Sequence, residues 1–415
     1  MSGRAGERAG TVLLLQRREG IAMTDAVVIL SFARTPMGGF QGSLSGVSAT
    51  ALGSAAVRAA VERSGAAAAA VDQIIMGCVL PAGLGQAPAR QAAIGAGLPL
   101  HVTATTVNKM CGSGMQAAIM AHDALASGGA DIVVAGGMES MSNAPYLLAK
   151  HRSGARIGHD VVKDSMYLDG LEDAYDPGRL MGSFAEDSAR DYQFTRTEQD
   201  DYALESLRRA MAAIDDGAFA GEIVAVEVPG RGGAVAVDTD EQPGKARPGK
   251  IPTLKPAFAK DGTITAANAS SISDGAAALV MTRESVALAN GLTPVARIVA
   301  HAAHAHEPGN FTTAPVPAIR KVLDRAGWSV ADVDLFEVNE AFAVVAMIAM
   351  HDLEIPRDKL NIHGGATALG HPIGASGARI MGTLIAALQR TGGRRGVAAL
   401  CIGGGEATAV AVELV

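Results

Sequence analysis

The amino-acid sequence predicts a layered α/β fold that is built from two copies of one strand-and-helix unit. In the first half, a helical stretch ends at Gly65 and an apolar run follows over Val71–Gly77. In the second half, a helical stretch ends at Gly327 and a matching run follows over Val333–Asn339. A glycine directly after a helix is typical of a C-cap, and a short apolar run is typical of a buried strand. Strands that alternate with helices predict helices on both faces of the sheet.

A second correspondence extends this repeat in the same order. Ser113 opens an apolar helical stretch that leads, through a glycine pair, to the strand Ile132–Ala135. Ser376 opens a similar stretch that leads, through another glycine pair, to the strand Val397–Cys401. The repeat unit is the size of a domain, so the sequence indicates a duplicated domain and not a solenoid.

Composition excludes several function classes. The net charge of −7 over 415 residues argues against nucleic acid or an anionic membrane as a partner. No apolar run approaches the ~20 residues that span a bilayer. The three cysteines (Cys78, Cys111 and Cys401) are widely spaced and form neither a disulfide framework nor a paired metal motif. These observations predict a protein of the reducing cytoplasm without a nucleic-acid or membrane partner.

Two segments stand outside the repeat. Residues 1–24 are interpreted as a disordered or over-called N-terminal extension, because Met23 precedes the first convincing strand. Residues 141–262 are rich in glycine, proline and charge, and carry one polar helix at about Thr197–Asp216. Their basic residues either meet an anionic ligand or belong to a solvated loop. The predicted divisions are 25–140 (N-terminal half), 141–262 (loop domain), 263–290 (return to the N-terminal half) and 291–415 (C-terminal half).

Cys111 is the first candidate catalytic residue. It lies in the run Asn108–Gly114, directly before an apolar helical stretch. The start of a helix presents unpaired N–H groups and the positive end of the helix dipole. That setting favours the thiolate, which is the nucleophilic form of cysteine. The sequence therefore predicts a covalent intermediate at Cys111.

The repeat supplies partners for this thiol. His371 precedes the second copy of the same helix, so pseudo-twofold symmetry predicts that Cys111 and His371 face each other. A histidine beside a cysteine can take the thiol proton. Cys401 ends a strand and opens a glycine turn, and a second thiol fits a reaction that needs another acid or base. Glycines around all three residues allow backbone N–H groups to approach an oxyanion.

Other candidate groups receive structural interpretations. Cys78 follows a strand without a partner motif and is predicted to be a buried core thiol. His301, His304 and His306 suggest a metal site, but no neighbouring cysteine or carboxylate pattern in the sequence completes it. The sequence therefore predicts no metal.

Four motifs together resemble the thiolase family, over about 25–415. They are the nucleophile run Asn108–Gly114, the run Asn339–Ala343, the glycine-rich run ending at His371-Pro372, and the run Cys401–Gly405. The resemblance implies a five-layer α-β-α-β-α core of two halves with an inserted loop domain.

The resemblance also implies roles for single residues. Cys111 is similar to the residue that the thioester substrate acylates, and His371 to the base that activates it. Cys401 is similar to the acid or base that removes the α-proton of a second acetyl-CoA. Asn339 is similar to the residue whose bound water forms one oxyanion hole with His371, and the N–H groups of Cys111 and Gly403 resemble the second hole.

Implied substrate contacts are Ser270 for the pantetheine arm, Arg231 for the nucleotide, and Met181 and Phe342 for the acyl pocket. The resemblance implies a His-Met-Gly run in thiolases specialised for acetoacetyl-CoA, and this chain has Leu180-Met181-Gly182 at that position. The retained methionine favours a short acyl chain. The expected reaction is reversible Claisen condensation of two acetyl-CoA to acetoacetyl-CoA and CoA. Coenzyme A thioesters are then substrates, no cofactor is expected, and homodimers or homotetramers are expected.

Three alternatives stay open at this stage. A degradative 3-ketoacyl-CoA thiolase would share the reaction and accept longer chains. A β-ketoacyl synthase shares the fold, but its active site is expected to contain one cysteine and two histidines. This chain instead has Cys111, His371 and Asn339, together with Cys401. A non-catalytic thiolase-like lipid-binding or scaffold protein would keep the fold and lose a catalytic group.

Overall fold

A computed structural model describes residues 25–230 and 232–415. Its strands are β1 Val27–Arg34, β2 Gly38–Gly39, β3 Gln73–Gly77, β4 Thr103–Val107, β5 Ile132–Ser140, β6 Tyr146–Leu147, β7 Lys163–Asp164, β8 Val226–Gly230, β9 Gly233–Val237, β10 Ser273–Arg283, β11 Ala296–Ala305, β12 Leu335–Val338, β13 Arg395–Ile402 and β14 Glu406–Leu414. Its α-helices are α1 Ala49–Ser64, α2 Pro88–Gly95, α3 Ser113–Ala126, α4 Met181–Asp191, α5 Arg196–Asp215, α6 Glu241–Lys245, α7 Glu284–Ala289, α8 Pro315–Ala326, α9 Ala343–Leu353, α10 Ala366–Leu369 and α11 Ser376–Thr391.

The two halves of the sheet use the same pairing pattern. In the first half β3 is parallel to β5, and β10 lies antiparallel between β5 and β1. In the second half β12 is parallel to β13, and β14 lies antiparallel between β13 and β11. The halves join where β1 pairs with β11, with Val28 opposite Arg297. The predicted duplication is therefore confirmed in the strand pairing.

Three buried apolar clusters separate the layers. The first lies between α1 and the strands of the first half, and includes Leu52 and Ile74. The second holds the central helices α3 and α11, and includes Met115 and Met381. The third lies between α8 and the strands of the second half. These contacts give the expected α-β-α-β-α order, and each fully buried Leu, Ile or Met side chain contributes ~1.5–3 kcal/mol to its layer.

Glycines bring three segments together near the middle of the molecule. A Cβ atom at Gly137 would lie 1.9 Å from the carbonyl oxygen of Gly374, and one at Gly114 would lie 3.0 Å from the same oxygen. Larger residues would push the loop at Gly374 away from β5 and α3. These contacts place the loop that follows His371 against the start of the helix that follows Cys111.

The segment between the halves is mostly loops, with α5 as its longest helix. Thr195 and Glu198 form a capping box that stabilises the start of α5. The helix begins within two residues of the start predicted from the sequence. The same segment contains two short strands, β8 and β9, which pair with each other. Residues 1–24 and Arg231 lie outside the described residues. Within the described part of the chain, every helix is too short or too polar to cross a bilayer.

Candidate active site

A cavity of about 350 Å³ contains three of the four predicted catalytic residues. Cys111, His371 and Cys401 line it together, with Gly403 beside them. These residues come from the loops before α3 and α11 and from the end of β13. The predicted meeting of Cys111 with His371 across the pseudo-symmetric halves is therefore present in the structure.

A tight, strained turn presents Cys111. Met110 has a positive φ of 47°, which is uncommon for a side chain of this size and marks local strain. Ser113 holds the turn, since its hydroxyl accepts from the Lys109 N–H at 2.8 Å and donates to the Met110 carbonyl at 2.6 Å. The Asn108 side chain accepts from the Met110 N–H at 3.0 Å. The turn therefore fixes the direction of the Cys111 side chain before any substrate binds.

The expectation that Cys111 rests as a thiolate is wrong. Burial raises the pKa of Cys111 to about 11, and the nearby Glu139 carboxylate raises it further. The backbone N–H groups of Gly403 and of Cys111 itself lower that pKa, but by less than burial raises it. Desolvation thus outweighs the start of α3. The resting nucleophile is a thiol that needs a base.

His371 can act as that base. Its side chain is buried, and burial together with the charge of Arg379 lowers its pKa to about 3, so the imidazole is neutral. Nδ1 lies 2.6 Å from the Ser376 hydroxyl, which donates to the Pro372 carbonyl at 2.9 Å. A hydroxyl has one proton, so Nδ1–H is the donor to Ser376. Nε2 then carries the free lone pair.

Asn339 faces the same imidazole. Its Nδ2 lies 3.4 Å from Nδ1 and 3.5 Å from Nε2 of His371. The Asn339 amide group therefore makes long contacts with both nitrogens of the imidazole ring. Arg379 donates to the Asn339 side-chain oxygen at 3.4 Å, which leaves the amide N–H group turned toward His371. Arg379 in turn lies 3.7 Å from the buried Glu337 carboxylate. Asn339 is thus a fixed donor beside the base.

Cys401 is the more deeply buried of the two thiols in the cavity. It ends β13, where it pairs with Ala407 of β14. Burial raises its pKa well above the usual value, and the neighbouring Cys111 raises it further. Cys401 therefore also rests as a thiol. Its sulfur interacts electrostatically with Cys111.

Two supports of the site were not predicted. Glu139, fully buried at the end of β5, accepts from the N–H groups of Val79, Leu80 and Gly374 at 2.9–3.0 Å. It thereby joins two loops that border Cys111. Lys109, two residues before the nucleophile, forms an ion pair with Glu406 after the Gly403 turn. No sequence motif marks either contact, because the partners are far apart in the chain.

The predicted substrate residues that the structure describes all line one cavity, and a second, basic cavity adjoins it. Met181, Ser270 and Phe342 line the cavity that contains Cys111. A second cavity, of about 310 Å³, is lined by Lys245, Arg247 and Lys250 among others. Both cavities share Ala266 and Ser271, so an apolar chamber opens beside a basic one. The predicted contact of Arg231 lies outside the described residues.

Comparisons with known proteins identify the family. The family model of the thiolase N-terminal domain matches residues 27–285 of this chain, and the family model of the thiolase C-terminal domain matches residues 292–414. Acetyl-CoA acetyltransferase 2 of Arabidopsis thaliana is 52% identical over 94% of this chain and 97% of its own length. A probable acetyl-CoA acetyltransferase of Escherichia coli is 48% identical over 93% of this chain and 98% of its own.

Solved structures agree with the fold. The acetyl-CoA acetyltransferase of Bacillus anthracis superposes with a TM-score of 0.92 at 40% identity, and covers 94% of this chain and 99% of its own. A thiolase of Ascaris suum in complex with coenzyme A gives a TM-score of 0.89 at 42% identity, with 94% and 100% covered. The predicted fold class is confirmed by these likenesses.

Proposed function

Since the chain belongs to the thiolase family, we propose that it is an acetyl-CoA C-acetyltransferase that joins two acetyl-CoA into acetoacetyl-CoA and CoA, reversibly. The observation that carries this proposal is the cavity shared by Cys111, His371 and Cys401. The relatives named acetyl-CoA acetyltransferase support it. The reaction needs no cofactor, because the coenzyme A thioesters are themselves the substrates.

The first half-reaction acylates Cys111. Nε2 of His371 takes the thiol proton, and the sulfur attacks the thioester carbonyl carbon of acetyl-CoA. The N–H groups of Cys111 and Gly403 stabilise the developing oxyanion, and removing one such donor typically costs ~3–4 kcal/mol of transition-state stabilisation. The C–S bond to CoA breaks, and CoA leaves with the proton of the Cys401 thiol. This leaves Cys401 as a thiolate and keeps the proton from Cys111 on Nε2 of His371.

The second half-reaction forms the carbon–carbon bond. A second acetyl-CoA binds with its carbonyl oxygen at the Nε2–H group of His371 and at a water held by Asn339. The thiolate form of Cys401 removes its α-proton, and the carbanion attacks the acetyl carbonyl on Cys111. Collapse of the tetrahedral intermediate releases acetoacetyl-CoA, and the Cys111 sulfur takes its proton back from Nε2 of His371. This ping-pong order needs two thiols, which the cavity provides.

Two features support acyl-CoA as the substrate class. The basic residues Lys245, Arg247 and Lys250 suit the phosphates of coenzyme A, and the apolar chamber beside them suits the pantetheine arm and the acyl group. Phe342 packs edge-on against Phe258, with ring centroids 6.1 Å apart, so two bulky aromatic rings share the lining of the chamber with Met181. This supports a short acyl chain over the longer chains of a degradative 3-ketoacyl-CoA thiolase.

Two further alternatives are less consistent with the site. A β-ketoacyl synthase would place a second histidine where Asn339 faces His371. A non-catalytic scaffold would have no use for two thiols and a neutral imidazole in one cavity.

For the assembly we propose homodimers, which pair further into tetramers. The strand β4 supports this, because it lies at a free edge of the sheet and is only partly buried. A reducing, cytoplasmic location suits the three free thiols.

The proposal is tested by thiolysis of acetoacetyl-CoA and of longer 3-ketoacyl-CoA substrates, with Cys111→Ser as the inactive variant. We expect the wild-type protein to prefer acetoacetyl-CoA and the Cys111→Ser protein to lose all turnover. A preference for long chains would contradict the short-chain assignment. Turnover by Cys111→Ser would contradict the acyl-enzyme itself.

A further inference from the structure

We propose that His122, Asp123 and His301 form a binding site for a divalent transition-metal ion such as Zn²⁺. Their donor atoms all lie within 4.8 Å of one another. Asp123 Oδ1 lies 3.1 Å from Nδ1 of His122 and 3.1 Å from Nε2 of His301. Two imidazoles and one carboxylate are a donor set that zinc and its neighbours in the first transition row accept. This inference does not depend on the proposed enzymatic function.

The donor spacing suits a shared ion. Zinc binds imidazole nitrogen at ~2.0–2.1 Å and carboxylate oxygen at ~2.0–2.2 Å, so neighbouring ligands of a tetrahedral ion are separated by roughly 3.3 Å. The two measured separations of 3.1 Å are close to that value. The two imidazole rings lie edge-on, with centroids 4.8 Å apart at 75°. We expect small rotations of these rings to bring all three donors within bonding distance of one ion.

The two histidine side chains are mostly buried, whereas the Asp123 side of the cluster is exposed to solvent. The side chains of His122 and His301 are 21% and 22% exposed, and Asp123 is 62% exposed. An ion could therefore enter from solvent and keep water in its remaining position.

One neighbouring charge opposes a cation. The Arg325 guanidinium donates to the backbone carbonyl of His301 at 2.5 Å, which places a positive charge beside the cluster. The negative charge of Asp123 compensates for it. We therefore expect moderate affinity, with the order Co²⁺, Ni²⁺, Cu²⁺ rising as for ordinary nitrogen and oxygen sites.

The site would connect the two halves of the molecule. His122 and Asp123 lie on α3 of the first half, whose first turn follows Cys111, and His301 lies on β11 of the second half. The carboxylate beside His301 comes from Asp123, which is far from it in the sequence and reaches it only through the fold. His304 contacts Lys321 and His306 contacts the Asn310 carbonyl, so they do not join the cluster.

The test is calorimetric titration of the untagged full-length protein with Zn²⁺, and absorption spectroscopy with Co²⁺. We expect one equivalent of metal, a higher melting temperature with metal, and a cobalt spectrum without a thiolate charge-transfer band. Asp123→Asn and His301→Ala should each weaken binding about tenfold or more. His304→Ala is the matched control and should bind as tightly as the wild type.

Three results would overturn the proposal. The first is the absence of saturable binding of Zn²⁺ to the folded protein. The second is equal affinity of the wild type, Asp123→Asn and His301→Ala proteins. The third is a thiolate charge-transfer band, which would place the metal at a cysteine. Circular dichroism and thiolysis activity without metal should be unchanged in all three variants, which separates lost binding from misfolding and from any failure of the enzymatic proposal.

Discussion

His371 and Ser376 are joined by a hydrogen bond of 2.6 Å between Nδ1 and Oγ. Because Ser376 gives its only proton to the Pro372 carbonyl, the bond fixes the tautomer of His371. The two partners are five residues apart on either side of the start of α11. The first residue of the helix that follows His371 thus sets which imidazole nitrogen is free to act as a base.

Replacing this serine should slow catalysis without weakening substrate binding. In Ser376→Ala the imidazole can populate the other tautomer, in which Nε2 carries the proton and cannot accept another. We expect kcat to fall on the order of tenfold, with KM for acetoacetyl-CoA nearly unchanged. Ser376→Thr keeps the hydroxyl and should recover most of the rate. Equal kcat for Ser376→Ala and wild type would show that the bond does not control the base.

The alkylation rate of Cys111 should rise steadily with pH. Because burial raises the pKa of Cys111 to about 11, the thiolate fraction grows about tenfold per pH unit between pH 7 and 10. Iodoacetamide labelling followed by peptide mass analysis measures this rate, and buried Cys78 serves as the unlabelled internal control. Prior incubation with acetyl-CoA should block labelling. A plateau near pH 7 would indicate a resting thiolate.

The sequence predicted the meeting of the catalytic residues because the repeat makes them symmetric. Cys111 and His371 precede equivalent helices, so the same fold carries both to one place. The ionisation of Cys111 was not predictable in this way, since it depends on how much water the surrounding loops exclude. Helix position alone favoured the thiolate, and desolvation reversed that preference.

Contacts between distant residues were the least predictable part of the site. Glu139 accepts from an N–H group at Gly374, and Asp123 meets His301. Neither pair belongs to a local motif, because strand order and layer packing determine them. Ser376 was identified only as the start of a helix. Its contact with His371 depends on the turn geometry at Pro372, which no periodicity reports.

The ion pair between Lys109 and Glu406 should position the nucleophile turn against the oxyanion turn. Both side chains are partly exposed, at 24% and 36%, so the pair is worth only ~0.2–1 kcal/mol. Lys109→Met and Glu406→Gln should each lower kcat/KM, and a double-mutant cycle should give a coupling of roughly two- to fivefold. The coupling should shrink at high salt. Additive losses would mean that the pair has no positioning role.

Glu139 should make stability depend on pH in an unusual direction. Burial raises the pKa of Glu139 to about 7 from an ordinary value of 4.5, so the folded protein holds a proton that the unfolded chain releases. Its contribution to stability is complete below pH 4.5 and is lost as pH rises through 7. We expect the free energy of unfolding of wild type, relative to Glu139→Gln, to decrease over this range. Denaturant titrations at several pH values measure the difference, and a constant or rising difference would contradict the assignment.

The central claim is that two thiols divide the chemistry, with Cys111 carrying the acyl group and Cys401 moving the α-proton. The most direct test incubates Cys401→Ala with acetyl-CoA in D₂O and follows both events by mass spectrometry. The account predicts that Cys111 is still acetylated and that deuterium no longer enters the methyl group of acetyl-CoA. Deuterium incorporation at the wild-type rate would contradict it, because another group would then be the base.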